Sequence, residues 1–128
     1  LPLHPRTKKS LEKHNLLDKF KRINNLIYTD SLGYLDFMKL VSNSKIVITD
    51  SGGIQEETTF LQIPCITVRE NTERPITISL GNNELIQLNR ELISKRMVEK
   101  LKSDKKGTIP PLWDGHATER ILEILSKS

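Results

Sequence analysis

The stretch Thr49-Asp50-Ser51-Gly52-Gly53-Ile54-Gln55-Glu56-Glu57 holds the residue types best suited to chemistry. A β-branched run leads into two glycines, and the glycines lead into a helical pattern. In an open parallel sheet, the ligand crevice lies beyond the carboxyl ends of the strands. Two consecutive glycines let a ligand approach the backbone and permit positive φ angles. The helix behind them offers unpaired N–H groups and the positive end of its dipole, a natural seat for phosphate. Ser51 adds a hydroxyl. Glu57 lies four residues after Gly53, one turn down on the same face, whereas Glu56 is rotated away by about 100°. A carboxylate in that place does not hold an anion; it accepts hydrogen bonds from hydroxyls, such as a ribose diol joined to the phosphate. The same residues also spell a tight strand-to-helix connection, with Ser51 or Asp50 as its cap and two glutamates favouring the helix N-terminus. Spacing alone leaves both readings open.

A second candidate, Asn71-Thr72-Glu73-Arg74-Pro75, follows one strand later. Loops after adjacent parallel strands share one end of the sheet, so Arg74 can reach an anion held at Gly52-Gly53. The plainer alternative is a surface arginine paired with Glu70 or Glu73. Tyr34 and Phe37 fall at helical spacing with Met38 and Val41, the pattern of a helix's core face. His4 stands ahead of Pro5 and Arg6, either facing the crevice or in a structural role. No two histidines have ligand spacing, so no metal site is expected.

The elements that must carry these residues alternate. Strands are expected at Asn25–Thr29, Lys45–Thr49, Cys65–Val68 and Glu84–Leu88, with Leu1-Pro2-Leu3 as the stump of another. Helical faces are expected at Tyr34–Val41, at Ile54, Thr58 and Leu61, at Leu92–Leu101 and at Ala117–Leu125. Lys102–Trp113 reads as a loop, with Asp114 available to cap the last helix. This alternation implies an α/β fold, a Rossmann-like doubly wound parallel sheet.

Hydrophobic residues make up 36% of the 128, enough for a core, and no apolar run reaches the length of a membrane span. The net charge of +4 sits along stretches broken by Glu91, Glu99 and Asp104. Solvated helix faces explain it better than nucleic-acid binding, which is not expected. The single cysteine, Cys65, excludes an internal disulfide and is expected as a buried strand thiol in a reducing cytoplasm. The sequence begins at Leu1 without a signal-peptide pattern and is expected to be a piece of a longer protein.

Asp50-Ser51-Gly52-Gly53-Ile54-Gln55-Glu56-Glu57, followed by a strand and then Thr72-Glu73-Arg74-Pro75, resembles the non-hydrolysing UDP-N-acetylglucosamine 2-epimerases. Leu3-His4-Pro5-Arg6-Thr7, Tyr34-Leu35-Asp36-Phe37 and Asp114-Gly115-His116-Ala117-Thr118-Glu119-Arg120-Ile121 resemble further family blocks in matching order. The resemblance implies the C-terminal half of a glycosyltransferase-B-like two-domain fold, with residues 1–128 forming a single nucleotide-binding domain. The family's N-terminal domain, with its catalytic carboxylates, and an early histidine-bearing block of the C-terminal half are without counterpart here.

By that resemblance, Ser51, Gly52 and Gly53 hold the diphosphate of UDP, and Glu57 binds the ribose. Arg74 contacts the substrate, and Phe37 lies by the uracil. Leu32 departs from members that carry glutamine near the uracil; a leucine leaves recognition there to the backbone. The implied reaction inverts C2 of UDP-GlcNAc to give UDP-ManNAc by eliminating and re-adding UDP. No cofactor or metal is implied, no catalytic residue falls in these 128 residues, and the chain alone is expected to be inactive. The expected partners are a UDP-sugar, the N-terminal domain and a second copy in a homodimer. Epimerisation of a related UDP-sugar such as a diacetamido-uronate, or a non-catalytic nucleotide-sugar-binding role, are the alternatives.

Overall fold

The structure is a computed structural model that describes residues 1–103 and 107–127. It comprises two compact units, Leu1–Leu40 and Val41–Ser128.

In the first unit, α1 (Pro5–Lys13) and α2 (Leu17–Lys21) precede α3 (Tyr34–Ser42), which begins there. Neither α1 nor α2 shows an apolar stripe, and the sequence pattern does not reveal them. The ends of α1 explain it instead. Proline at the first position of α1 has its φ preset and needs no N–H partner. His4 takes the N-cap position, and its Nδ1 accepts from the Arg6 N–H at 3.2 Å. At the other end Asn15 adopts φ 55°, and the Leu16 N–H reaches back to the Leu11 carbonyl at 2.8 Å, closing the helix. The two expected strands at residues 1–3 and 25–29 reduce to one parallel bridge between Pro2 and Thr29. Proline has no donor to extend that ladder, and Ile27 is left largely exposed.

The second unit carries β1 (Val47–Thr49), α4 (Gly52–Phe60), β2 (Cys65–Val68), α5 (Ile76–Ser79), β3 (Asn83–Ile86), α6 (Arg90–Lys102) and α7 (Ala117–Ser126). The strands form one parallel sheet in the order β1-β2-β3, with Thr49 opposite Thr67 and Val68 opposite Ile86. The α/β expectation holds in this arrangement of parallel strands and helical connections. β2 is the central strand, and Cys65, Ile66 and Thr67 on it are fully buried. Burial pushes the Cys65 thiol pKa up, the state expected of it. Ile48 on the edge strand β1 stays nearly half exposed.

Several local expectations change. The buried face of α4 is Gln55, Thr58 and Thr59, not Ile54, Thr58 and Leu61. Tyr34 is exposed and Phe37 half-buried, so the aromatic core expected on α3 is not formed; Val41 is its buried residue. The last strand begins and ends earlier than its apolar pattern, because Asn83 is buried through hydrogen bonds and Leu88 is 89% exposed. The run after Pro75 contains the short helix α5, which the apolar pattern did not announce. Asp114 is not the cap of α7. His116 holds that position, and Asp114 accepts its N–H at 3.0 Å. Of the expected loop at residues 102–113, Lys102 ends α6, and residues 104–106 lie outside the described residues.

Two basic residues of α6, Arg96 and Lys100, are charge-compensated. Arg96 pairs with Glu84 at 2.5 Å and with Glu99 at 2.6 Å, and Lys100 approaches Glu84 at 3.6 Å. Lys105 and Lys106 fall outside the described residues.

Candidate functional site

β1 ends at Thr49, and the chain turns into α4 through Asp50 and Ser51. The Thr49 hydroxyl accepts the Ser51 N–H at 3.0 Å, which fixes the turn. Ser51 then takes the N-cap position with extended backbone (φ −83°, ψ 132°), but its side chain makes no capping bond. The first turn of α4 therefore presents its N–H groups and the Ser51 hydroxyl without an internal side-chain cap. Neither glycine has a positive φ, which corrects one reason for expecting them. What they supply is space. A Cβ on Gly53 would meet nothing within 4 Å, and one on Gly52 would only touch the Arg69–Glu73 pair at 3.9–4.0 Å.

That pair is a residue combination the sequence reading missed. Arg69 follows β2 directly and grips Glu73 with two parallel bonds, Nη1 to Oε2 at 2.9 Å and Nη2 to Oε1 at 2.8 Å. The hydrogen bonds from Arg69 hold the Glu73 carboxyl below the usual carboxylate range, and those to Glu73 raise the pKa of Arg69. The signal available was position: Arg69 closes the strand next to the one that feeds Ser51.

Arg74 is not paired with Glu70 or Glu73. Its Nε lies 2.8 Å from Glu56 Oε1 on α4, and its Nη1 donates to the Glu73 carbonyl at 3.3 Å. The two loops after β1 and β2 do meet at one end of the sheet, as the parallel order requires. Glu56, expected to turn away, is the residue that holds Arg74. Glu57 is half-buried one turn below Gly53, and among the described residues its carboxylate has no hydrogen-bond or ion-pair partner. Ser51, Gly52, Gly53, Glu57 and Arg74 thus share the second unit, while Phe37 lies on α3 in the first.

A cleft of about 480 Å³ in the second unit lies elsewhere, beside the amino end of β3, lined by Asn82, Glu84, Arg96 and Lys100 among others. Its charges already neutralise one another, whereas the face in front of α4 is open at Gly53. Among the described residues no group of His, Cys, Asp and Glu is arranged to hold a metal, and no helix is long and apolar enough to cross a membrane.

The family model described as UDP-N-acetylglucosamine 2-epimerase matches residues 1–126. The chain belongs to the UDP-N-acetylglucosamine 2-epimerase family. It is 44% identical over 124 residues to the UDP-N-acetylglucosamine 2-epimerase of Methanocaldococcus jannaschii, covering 97% of this chain and 34% of that protein. The UDP-2,3-diacetamido-2,3-dideoxy-D-glucuronate 2-epimerase of Pseudomonas aeruginosa is 36% identical over 131 residues, covering 99% of this chain and 34% of that protein. A crystal structure of the M. jannaschii UDP-GlcNAc 2-epimerase in complex with UDP-GlcNAc and UDP matches with a TM-score of 0.86 at 41% identity, over 99% of this chain and 35% of that one. The chain spans about a third of the length of these relatives.

The family's closing block has a structural explanation in this chain. Gly115 adopts φ +82°, which only glycine takes without strain, and lets the chain fold back so that Asp114 meets the start of α7. There Arg120 Nη1 binds both Asp114 oxygens at 3.0 and 2.9 Å, and its Nη2 donates to the Leu112 carbonyl at 2.9 Å. The hydrogen bonds from Arg120 hold the Asp114 carboxyl at about 2.

Proposed function

We propose that this chain is the UDP-holding part of a UDP-GlcNAc 2-epimerase. One observation carries the reading: an uncapped helix start faces open space at two glycines, with two arginines anchored at its rim. In this reading Ser51, Gly52 and Gly53 hold the diphosphate, Arg74 contacts it, Glu57 accepts from the ribose hydroxyls and Phe37 lies against the uracil. Leu32 leaves base-edge recognition to backbone groups.

The reaction proposed for the whole enzyme inverts C2 of UDP-GlcNAc to give UDP-ManNAc. C2 carries no acidic proton, so the route is elimination: the C1–O bond breaks, the C2 proton is removed, and a glycal and UDP form. UDP then re-adds at C1 while a proton enters C2 from the opposite face. Donors focused on the departing diphosphate stabilise the charge that develops as the C1–O bond breaks. The acid and base groups lie outside these 128 residues, in the N-terminal domain of the family, and the protein acts in the cytoplasm.

A second reading, a diacetamido-uronate as the sugar, is favoured by the P. aeruginosa relative at 36% identity. Both readings share the UDP seat. The test is titration of the ¹⁵N-labelled chain with UDP. Amide shifts centred on Gly52, Gly53 and Arg74 support the seat, and shifts confined to other segments contradict it.

A further inference from the structure

The buried face of α4 is polar where apolar residues would pack at less cost. Gln55 is fully buried and uses both ends of its amide. Its Nε2 donates to the Ser51 carbonyl at 3.4 Å, and its Oε1 accepts from the Thr72 hydroxyl at 2.7 Å and from Asn83 Nδ2 at 3.2 Å. Asn83 Oδ1 accepts from the Thr67 hydroxyl at 2.7 Å, which joins the amide to the central strand. The same Asn83 Nδ2 donates to the Thr77 hydroxyl at 3.1 Å. From these two hydroxyls the network reaches both peptide groups of Arg74: Thr72 Oγ1 accepts the Arg74 N–H at 3.0 Å, and Thr77 Oγ1 donates to the Arg74 carbonyl at 2.8 Å.

We infer that Gln55 is a positioning residue that ties the Ser51–Gly53 loop to the Thr72–Arg74 turn, so that Arg74 is aimed at an anion seated on the glycines. The inference rests on the reading of that loop as a diphosphate seat. A neutral amide is the side chain that donates at one end and accepts at the other. Buried networks of this kind fix one arrangement when every member is satisfied, and each of these atoms is.

The test is a set of double-mutant cycles on the full chain, read by calorimetric UDP titration with thermal melts as the folding control. Arg74→Ala should weaken UDP binding roughly tenfold or more in the wild type, the loss of a charge-assisted hydrogen bond. In a Gln55→Met background the same substitution should cost less than about threefold, because Arg74 is no longer aimed. Thr72→Val, at a half-buried site, should give the same non-additivity and decides the matter if Gln55→Met fails to fold. An Arg74 effect of equal size in every background overturns the positioning role and leaves the diphosphate seat standing. No effect of Arg74→Ala in the wild type overturns the seat and the inference together.

Discussion

The Nε of Arg74 and Oε1 of Glu56 lie 2.8 Å apart, joining the turn after β2 to the second turn of α4. Both side chains are more than two-fifths exposed, so the pair contributes little stability, about 0–1 kcal/mol. Its effect is to restrict where the guanidinium sits. Glu56→Ala should leave the melting temperature nearly unchanged and weaken UDP binding only a few-fold. Glu57→Ala should weaken it by about 2–4 kcal/mol, roughly 30- to 1000-fold, if Glu57 accepts from both ribose hydroxyls. Calorimetry on the two variants checks this. Tighter binding by Glu57→Ala, or equal losses from both, contradicts the ribose role.

Gly53→Ala separates folding from binding. The backbone there is compatible with alanine, and the new methyl meets open space. Stability should stay level or rise by about 0.4–1 kcal/mol, as for other compatible Gly→Ala changes. The methyl would occupy the approach of the diphosphate, so UDP binding should fall about tenfold or more. A variant equally stable and equally competent for UDP shows that nothing approaches Gly53.

The chain alone should not turn over UDP-GlcNAc. Of the carboxylates near the seat, Glu56 is held by Arg74, Glu73 is held by Arg69 and Glu57 is assigned to the ribose, and the proposed reading places the acid and base for C2 in the N-terminal domain. Proton NMR of UDP-GlcNAc incubated with the pure chain should show no mannose epimer. Turnover would move the catalytic groups into these 128 residues.

Asp114 gives a pH signature at α7. Its carboxyl titrates at about 2 because Arg120 donates to it, against an ordinary value of 3.8. A depressed carboxylate pKa stabilises the folded state above the ordinary value, and that contribution is lost as pH falls through about 2. Arg120→Ala should move the Asp114 midpoint up toward 3.8, followed by carboxyl-carbon NMR. A midpoint unmoved in the variant means that Arg120 is not the cause.

The sheet strands and the meeting of the two loops were legible for different reasons. β-Branched runs mark β1 and β2 because such side chains pack well in a sheet. The order strand, Gly-Gly, helix, then strand, Arg74 is enough to place two loops at one end of a parallel sheet. The partners of Arg74 and Gln55 were not legible. Gln55 meets Thr72 and Asn83 from 17 and 28 residues away, a closeness that only the folded sheet creates. Likewise α1 escaped because its start is fixed by His4 and Pro5 rather than by an apolar stripe.

The central claim is that α4 and its glycines seat a diphosphate. Its most direct measurement is calorimetric titration of the chain with UDP, UMP and uridine under one salt condition. UDP should bind roughly tenfold or more tightly than UMP, the worth of the charge-assisted bonds to the second phosphate, and uridine should bind barely at all. Equal affinity for UDP and UMP would contradict the account.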